Sequence, residues 1–346
     1  MAAPIAILHS GVVCSVGLST STTCAAIRAA VSNFSDTKYA DLDGEPILGA
    51  SITFEKRWRG RQRLLHMLSQ AVGECLEAAG SRQTDALPLL LCVAERQRPG
   101  RAAGLDDMLG ELEAALRLRF DPARSAVIAE GRASVALALA QARTLLQAGR
   151  AQAVLIAAVD SLLVGRGLPV YERQQRLLTS LNSNGFIPGE AASAVLIGLP
   201  ATAADEGALV CTGIGLAQEP APIESGEPLR GDGLTRAVKV ALAEAGCELG
   251  DLDYRLTDIN GEQYYFKEAS LALCRVLRQR KERHYLTHPA DCVGEVGAAI
   301  GPLMLALALE SGRKAYGHGP NLLMHCGSDA GLRSALVLRY VPAARH

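Results

Sequence analysis

Short aliphatic runs alternate along the chain with longer stretches whose apolar residues recur at helical spacing. The runs Ile5–His9, Leu89–Ala94, Ala126–Ala129, Ala153–Ala158, Ala191–Ile197, Leu209–Gly215, Tyr254–Asn260, Leu322–Cys326 and Ser334–Tyr340 predict strands. Helical periodicity predicts helices over Ser19–Val31, Arg61–Ala79, Leu105–Leu118, Arg132–Ala148, Leu234–Ala245, Tyr265–Arg278 and Gly297–Ser311. This alternation defines an α/β fold with buried sheets. Two of the helices, beginning near Ala133 and Gly297, are apolar almost all round. Helices of that kind belong in the middle of a layered protein.

Spacing points to an internal duplication. Gly149 lies seventeen positions after Arg132, and Gly312 seventeen after Glu295. Each glycine is followed by an arginine, then by a strand and an acidic residue, Asp160 or Asp329. More loosely, Gly80 precedes one strand by nine residues and Gly246 another by eight. The small, polar stretch Pro200–Glu206 separates residues 1–200 from 207–346, read as two halves of one compact pseudo-symmetric unit. The expected architecture has five layers, α-β-α-β-α, with the two apolar helices back to back. Their N-termini then face one cleft near a pseudo-twofold axis.

Composition narrows the classes. Of 346 residues, 49% are hydrophobic but only 4% aromatic, so Ala, Leu, Val and Gly fill the core. Lys and Arg number 35 against 36 Asp and Glu, which gives no electrostatic footprint for nucleic acid or an anionic membrane. No apolar run reaches the eighteen residues a spanning helix needs. Nine cysteines are scattered without CxxC pairs, and the first residues carry no basic leader, so a reducing cytoplasm is expected. No metal or cofactor is expected. His284 and His288 stand four apart, but the stretch Arg280–Asp291 reads as a loop, so a solvated or core role is assigned to them. The basic run Arg278–Arg283 reads as an exposed helix end, with carrier-protein docking as the functional alternative. The arginines 57, 59, 61 and 63 read as a solvated face.

Four segments carry a resemblance to the β-ketoacyl synthases of the thiolase superfamily. They are Ile7-Leu-His-Ser-Gly-Val-Val-Cys-Ser-Val-Gly17, the stretch Leu145–Ser161, Asn184-Gly-Phe-Ile-Pro-Gly-Glu-Ala-Ala-Ser-Ala-Val-Leu-Ile197, and Val293-Gly-Glu-Val-Gly-Ala-Ala-Ile-Gly301. In order and at similar separations, they imply that family's fold over nearly the whole chain. The family's chemistry uses a cysteine at a helix N-terminus and two histidines. The resemblance places Arg132 at the cysteine position, Asn260 at the first histidine and Glu295 at the second, with Ala290 for the usual lysine. No cysteine lies between Cys92 and Cys211.

An arginine is protonated at any relevant pH and cannot be an acyl nucleophile. Ser134 lies close by but has no activating histidine, and Cys326 reads as a core residue. Arg132 opposes its own helix dipole by a few tenths to about 1 kcal/mol, whereas Glu295 suits its helix. An ion pair of Arg132 with Glu295 or Glu130, filling the former catalytic cleft, is therefore expected. The resemblance implies a catalytically inactive ketosynthase-like protein acting through protein binding. It is read as an adaptor or chaperone-like accessory, of the kind encoded in type VI secretion clusters, or as a non-catalytic partner subunit. The alternative is a residual acyltransferase, decarboxylase or synthase dependent on an acyl carrier protein. The expected partners are a second copy, a related thiolase-like chain, a client effector or an acyl carrier protein, with dimer pairing through Ser125–Glu130.

Overall fold

The computed structural model describes residues 3–80, 87–203 and 207–343; the end of the Pro200–Glu206 boundary lies outside these. The first half carries β1 (Ile5–Cys14), α1 (Thr20–Arg28), β2 (Ser35–Ala40), β3 (Pro46–Gly49), α2 (Gly60–Ala79), β4 (Leu89–Cys92) and α3 (Met108–Leu116). It continues with β5 (Ala126–Ile128), α4 (Ser134–Gln147), β6 (Val154–Ser161), α5 (Leu168–Arg173) and β7 (Glu190–Gly198). The second half carries β8 (Ala208–Gln218), α6 (Asp232–Ala245), β9 (Tyr254–Thr257), α7 (Gln263–Val276), β10 (Tyr285–Thr287), α8 (Ala290–Val293), α9 (Ile300–Arg313), β11 (Asn321–Gly327) and β12 (Leu332–Val341).

Ten strands form one sheet in the order β10-β9-β11-β12-β8-β1-β7-β6-β4-β5. Its two sides have the same plan. From the joint outwards, each side's first strand is antiparallel to its last, the last is antiparallel to the fourth, and the second and third follow in parallel. The sides meet through three antiparallel pairs between β1 and β8, Ile5–Cys211, Ala6–Val210 and Ile7–Leu209.

The period-two alternation of the strands sets the layers. On β4, Leu90 and Cys92 join the central core, while Leu89 and Leu91 face the cluster under α2 and α3. On β11, Leu322 and Met324 point centrally, and Leu323 joins the cluster under α6 and α7. The apolar helices α4 and α9 fill the middle layer. They come close enough that a Cβ on Gly301 would lie 2.6 Å from Val135 Cγ1. The architecture is thus the expected α-β-α-β-α stack.

The duplication extends to details that spacing did not show. A Cβ at Gly11 would lie 1.9 Å from the Ala71 carbonyl oxygen of α2, and one at Gly213 would lie 2.0 Å from that of Ala241 in α6. Beside each contact a glutamate from the helix accepts a strand amide. Val12 N donates to Glu74 at 2.9 Å, and Ile214 N to Glu244 at 2.6 Å. Only glycine lets a helix sit this close to a strand.

Other expectations need correction. Gly149, with φ +65°, closes α4, but the equivalent left-handed residue after α9 is Ala315 at φ +53°, not Gly312. Gly312 lies inside α9, where a side chain would strike the Tyr340 ring at 2.3 Å. The Arg280–Asp291 stretch is not all loop, since it holds β10 and the start of α8. The β2–β3 hairpin and α5 were not foreseen either. Arg63 is not on a solvated face, because its Nε donates to buried Glu190 at 2.9 Å.

Candidate functional site

Two short 3₁₀ turns, Gly131–Ala133 and Gly297–Ala299, lead into α4 and α9 and pack against each other at the centre of the molecule. Gly131 and Gly297 both have φ +55°. A carboxylate lies over each: a Cβ would meet Glu95 at 2.2 Å on Gly131 and Asp160 at 2.0 Å on Gly297. This is the shared cleft that the sequence predicted, and it is filled with charge.

Arg132 is 5% exposed. Its guanidinium lies 3.3 Å from Glu295, 3.4 Å from Asp258 and 2.9 Å from Asp329. It also stacks 4.3 Å over the Tyr265 ring, a cation–π contact. Asn260 donates to Glu295 at 2.6 Å and to Glu262 at 3.0 Å. Glu295 in turn accepts from Gly297 N at 2.8 Å, which caps the turn into α9. The three residues singled out by the resemblance, Arg132, Asn260 and Glu295, therefore meet directly. Glu295 is the predicted partner of Arg132; Glu130 makes no ion pair with it.

The sequence did not single out the rest of the network. Arg176 grips Glu262 through Nε at 2.7 Å and Nη2 at 3.0 Å, and reaches Asp329 at 2.8 Å. Tyr265 donates its hydroxyl to Asp329 at 2.5 Å. Arg98 binds Asp160 with both terminal nitrogens, at 2.7 and 3.0 Å, and Asp160 also accepts from Ala298 N at 3.0 Å. The cavity left among these groups measures about 20 Å³, space for about one water and no acyl chain.

Three guanidiniums, of Arg98, Arg132 and Arg176, thus face six carboxylates, those of Glu95, Asp160, Asp258, Glu262, Glu295 and Asp329. Burial raises the Asp258 carboxyl despite Arg132, and pushes Glu295 up to about 7 against Arg132 and Asn260. Burial also raises Asp329, but Arg176 and Arg132 outweigh it and hold that carboxyl well below the usual range. The shifts of Asp258 and Glu295 both run in the direction that relieves the excess of negative charge.

This has a pH signature. A carboxyl raised in the folded state stabilises the fold below its unfolded value near 4.5, and that stability is lost as pH rises through about 7. His325, which burial pushes down to about 3, acts in the opposite sense, so the effect is read as a difference between variants. From pH 5 to pH 8, the Glu295→Gln protein should gain about 2 kcal/mol relative to wild type. Urea unfolding at both pH values measures it; a constant difference would show that Glu295 is ionised throughout.

The other candidates are structural. Ser134 Oγ donates to Ile128 O at 3.2 Å and accepts from Glu130 N at 3.0 Å. Cys326 lies in the central core, and Ala290 is buried in α8. His284 accepts from Arg255 at 3.1 Å, and His288 pairs with Asp291 at 3.0 Å. Among the described residues no group of His, Cys, Asp and Glu is arranged to hold a metal ion. No helix there is long and apolar enough to cross a membrane.

No family model and no curated protein matches the sequence. Solved structures do match. A chain of AntDE:AntF, a type II polyketide-synthase acyl-carrier protein in complex with its ketosynthase, superposes with a TM-score of 0.82 at 14% identity, covering 99% of this chain and 100% of that one. A chain of the ketosynthase ApeO in complex with its chain length factor ApeC, from Xenorhabdus doucetiae, gives 0.78 at 13%, covering 98% of each. The ishigamide ketosynthase/chain length factor gives 0.74 at 18%, covering 97% and 99%. The fold is the thiolase-like fold of the ketosynthases. At these identities the likeness establishes the fold, and the site must be read from its own residues.

Proposed function

We propose that this chain is a non-catalytic ketosynthase-fold protein that works by binding other protein chains. The observation that carries this reading is Arg132. It occupies the helix entry where the resemblance places the nucleophile, and three carboxylates hold it there with about 20 Å³ left beside it. A cation that cannot deprotonate offers no acyl nucleophile, and Asn260 and Glu295 are committed to the same network.

The partner surface in this reading is β5. It closes one end of the ten-stranded sheet and among the described residues pairs only with β4, so its other edge is open for a strand of a second thiolase-fold chain. That chain is a copy of this one or a relative. The ketosynthase–chain length factor pair among the matching structures favours this subunit role. Loading of a type VI secretion effector is the adaptor form of the same proposal.

Two measurements test it. After incubation with acyl-carrier thioesters, mass spectrometry should find no acyl adduct; an adduct on any cleft residue overturns the loss of catalysis. Sizing, alone and after co-expression with neighbouring genes, should show a dimer in at least one case. A monomer in both refutes the β5 pairing.

A further inference from the structure

Helices α6 and α7 lie side by side on the outer face of the second half, and a groove of about 730 Å³ runs between them. Arg230, Arg236, Lys239, Arg275 and Arg278 line it, with Asp232 as the one carboxylate. The chain as a whole is balanced, 35 cations against 36 anions, so this is a local concentration of positive charge. Of the buried arginines, Arg132, Arg176 and Arg333 have carboxylate partners, whereas the cations lining the groove mostly lack them. Arg275 pairs with Asp232, and Arg236 donates only to a backbone oxygen, of Gln218, at 3.3 Å. The side chains of Arg230, Lys239 and Arg278 make no ion pair or hydrogen bond among the described residues. Beyond Arg278 the basic run continues to Arg283.

Exposed cations clustered along a groove between two helices form a positive surface that a carboxylate-bearing partner complements. We infer that this groove docks a carboxylate-bearing helix of an acidic protein partner. A helix is the fitting shape, because two parallel ridges leave a trough that a third helix fills. α6 has fourteen residues and is about 21 Å long, enough to hold roughly four turns. Charge complementarity then sets the encounter rate and orientation. A nucleic-acid strand fits less well, because the near-neutral chain offers no wider positive field along which its phosphates could run. The groove belongs to the second half and β5 to the first, so the inference stands whether or not the proposed dimer forms.

The test is fluorescence anisotropy with a labelled, synthetic, glutamate-faced amphipathic helix, beside a lysine-faced version and an oligothymidine strand. The glutamate helix should bind, and the lysine helix should not. Raising salt from about 50 to about 300 mM should weaken binding. Lys239→Glu combined with Arg278→Glu should weaken it about tenfold or more with an unchanged thermal midpoint. In the unaltered protein, the same peptide should slow alkylation of Cys274, the exposed cysteine in this groove. Absence of binding, binding indifferent to the double substitution, or unprotected Cys274 overturns the inference. Tighter binding of oligothymidine than of the glutamate helix overturns it in favour of a nucleic-acid surface.

Discussion

Replacing Arg132 with alanine should destabilise the fold by about 3–5 kcal/mol at neutral pH. Asp258 and Glu295, at 4% and 6% exposure, then lose the guanidinium 3.3–3.4 Å away and keep no other cation within ion-pair distance among the described residues. The cost arises from the unpaired buried charges more than from the lost attraction, since a buried pair itself contributes little net stability. Protonation limits the damage. Both carboxyls are already raised by burial, so the loss should be smaller at pH 5 than at pH 8. Urea unfolding measures it; a loss below about 1 kcal/mol at pH 8 would falsify the view that Arg132 neutralises this cleft.

Arg333→Met should cost a comparable amount, about 3 kcal/mol, by an independent route. Arg333 is 1% exposed, and its Nε reaches both Glu268 oxygens, at 2.8 and 2.9 Å. Burial pushes Glu268 up to about 7 even with this partner beside it, so without the arginine it stays protonated to higher pH. The double variant Arg333→Met/Glu268→Leu should recover most of the stability, to within about 1 kcal/mol of wild type. The residual deficit comes from Ser328 O, which loses its 2.7 Å donor. A double variant as unstable as the single one would mean that packing, not unpaired charge, sets the cost.

The strands were legible because both faces of the sheet are covered and their aliphatic runs are continuous or alternate cleanly. β10 escaped notice as a three-residue edge strand, Tyr-Leu-Thr, and β2 because Ser35–Ala40 is polar and mostly exposed. Helix ends drifted because α4 and α9 begin as 3₁₀ turns, which periodicity does not distinguish. Within the site, Arg132, Asn260 and Glu295 were found through the family resemblance. Asp258 and Glu262 flank Asn260 in sequence, and Asp329 had been noted only as part of the repeat. Nothing local marks their partners: Arg132 and Asp329 lie 197 positions apart, and Arg176 and Glu262 lie 86 apart. A lone arginine in a polar stretch such as Glu172-Arg-Gln-Gln-Arg176 gives no sign that it is buried.

The ion pairs of Arg132 and Arg176 all cross between the halves. Arg132 and Arg176 come from the first half of the chain, and Asp258, Glu262, Glu295 and Asp329 from the second. Two halves with the same strand plan are therefore unlike at the seam where they meet. Drift at either arginine is tolerated only with matching drift across the seam, so these positions should covary as a set.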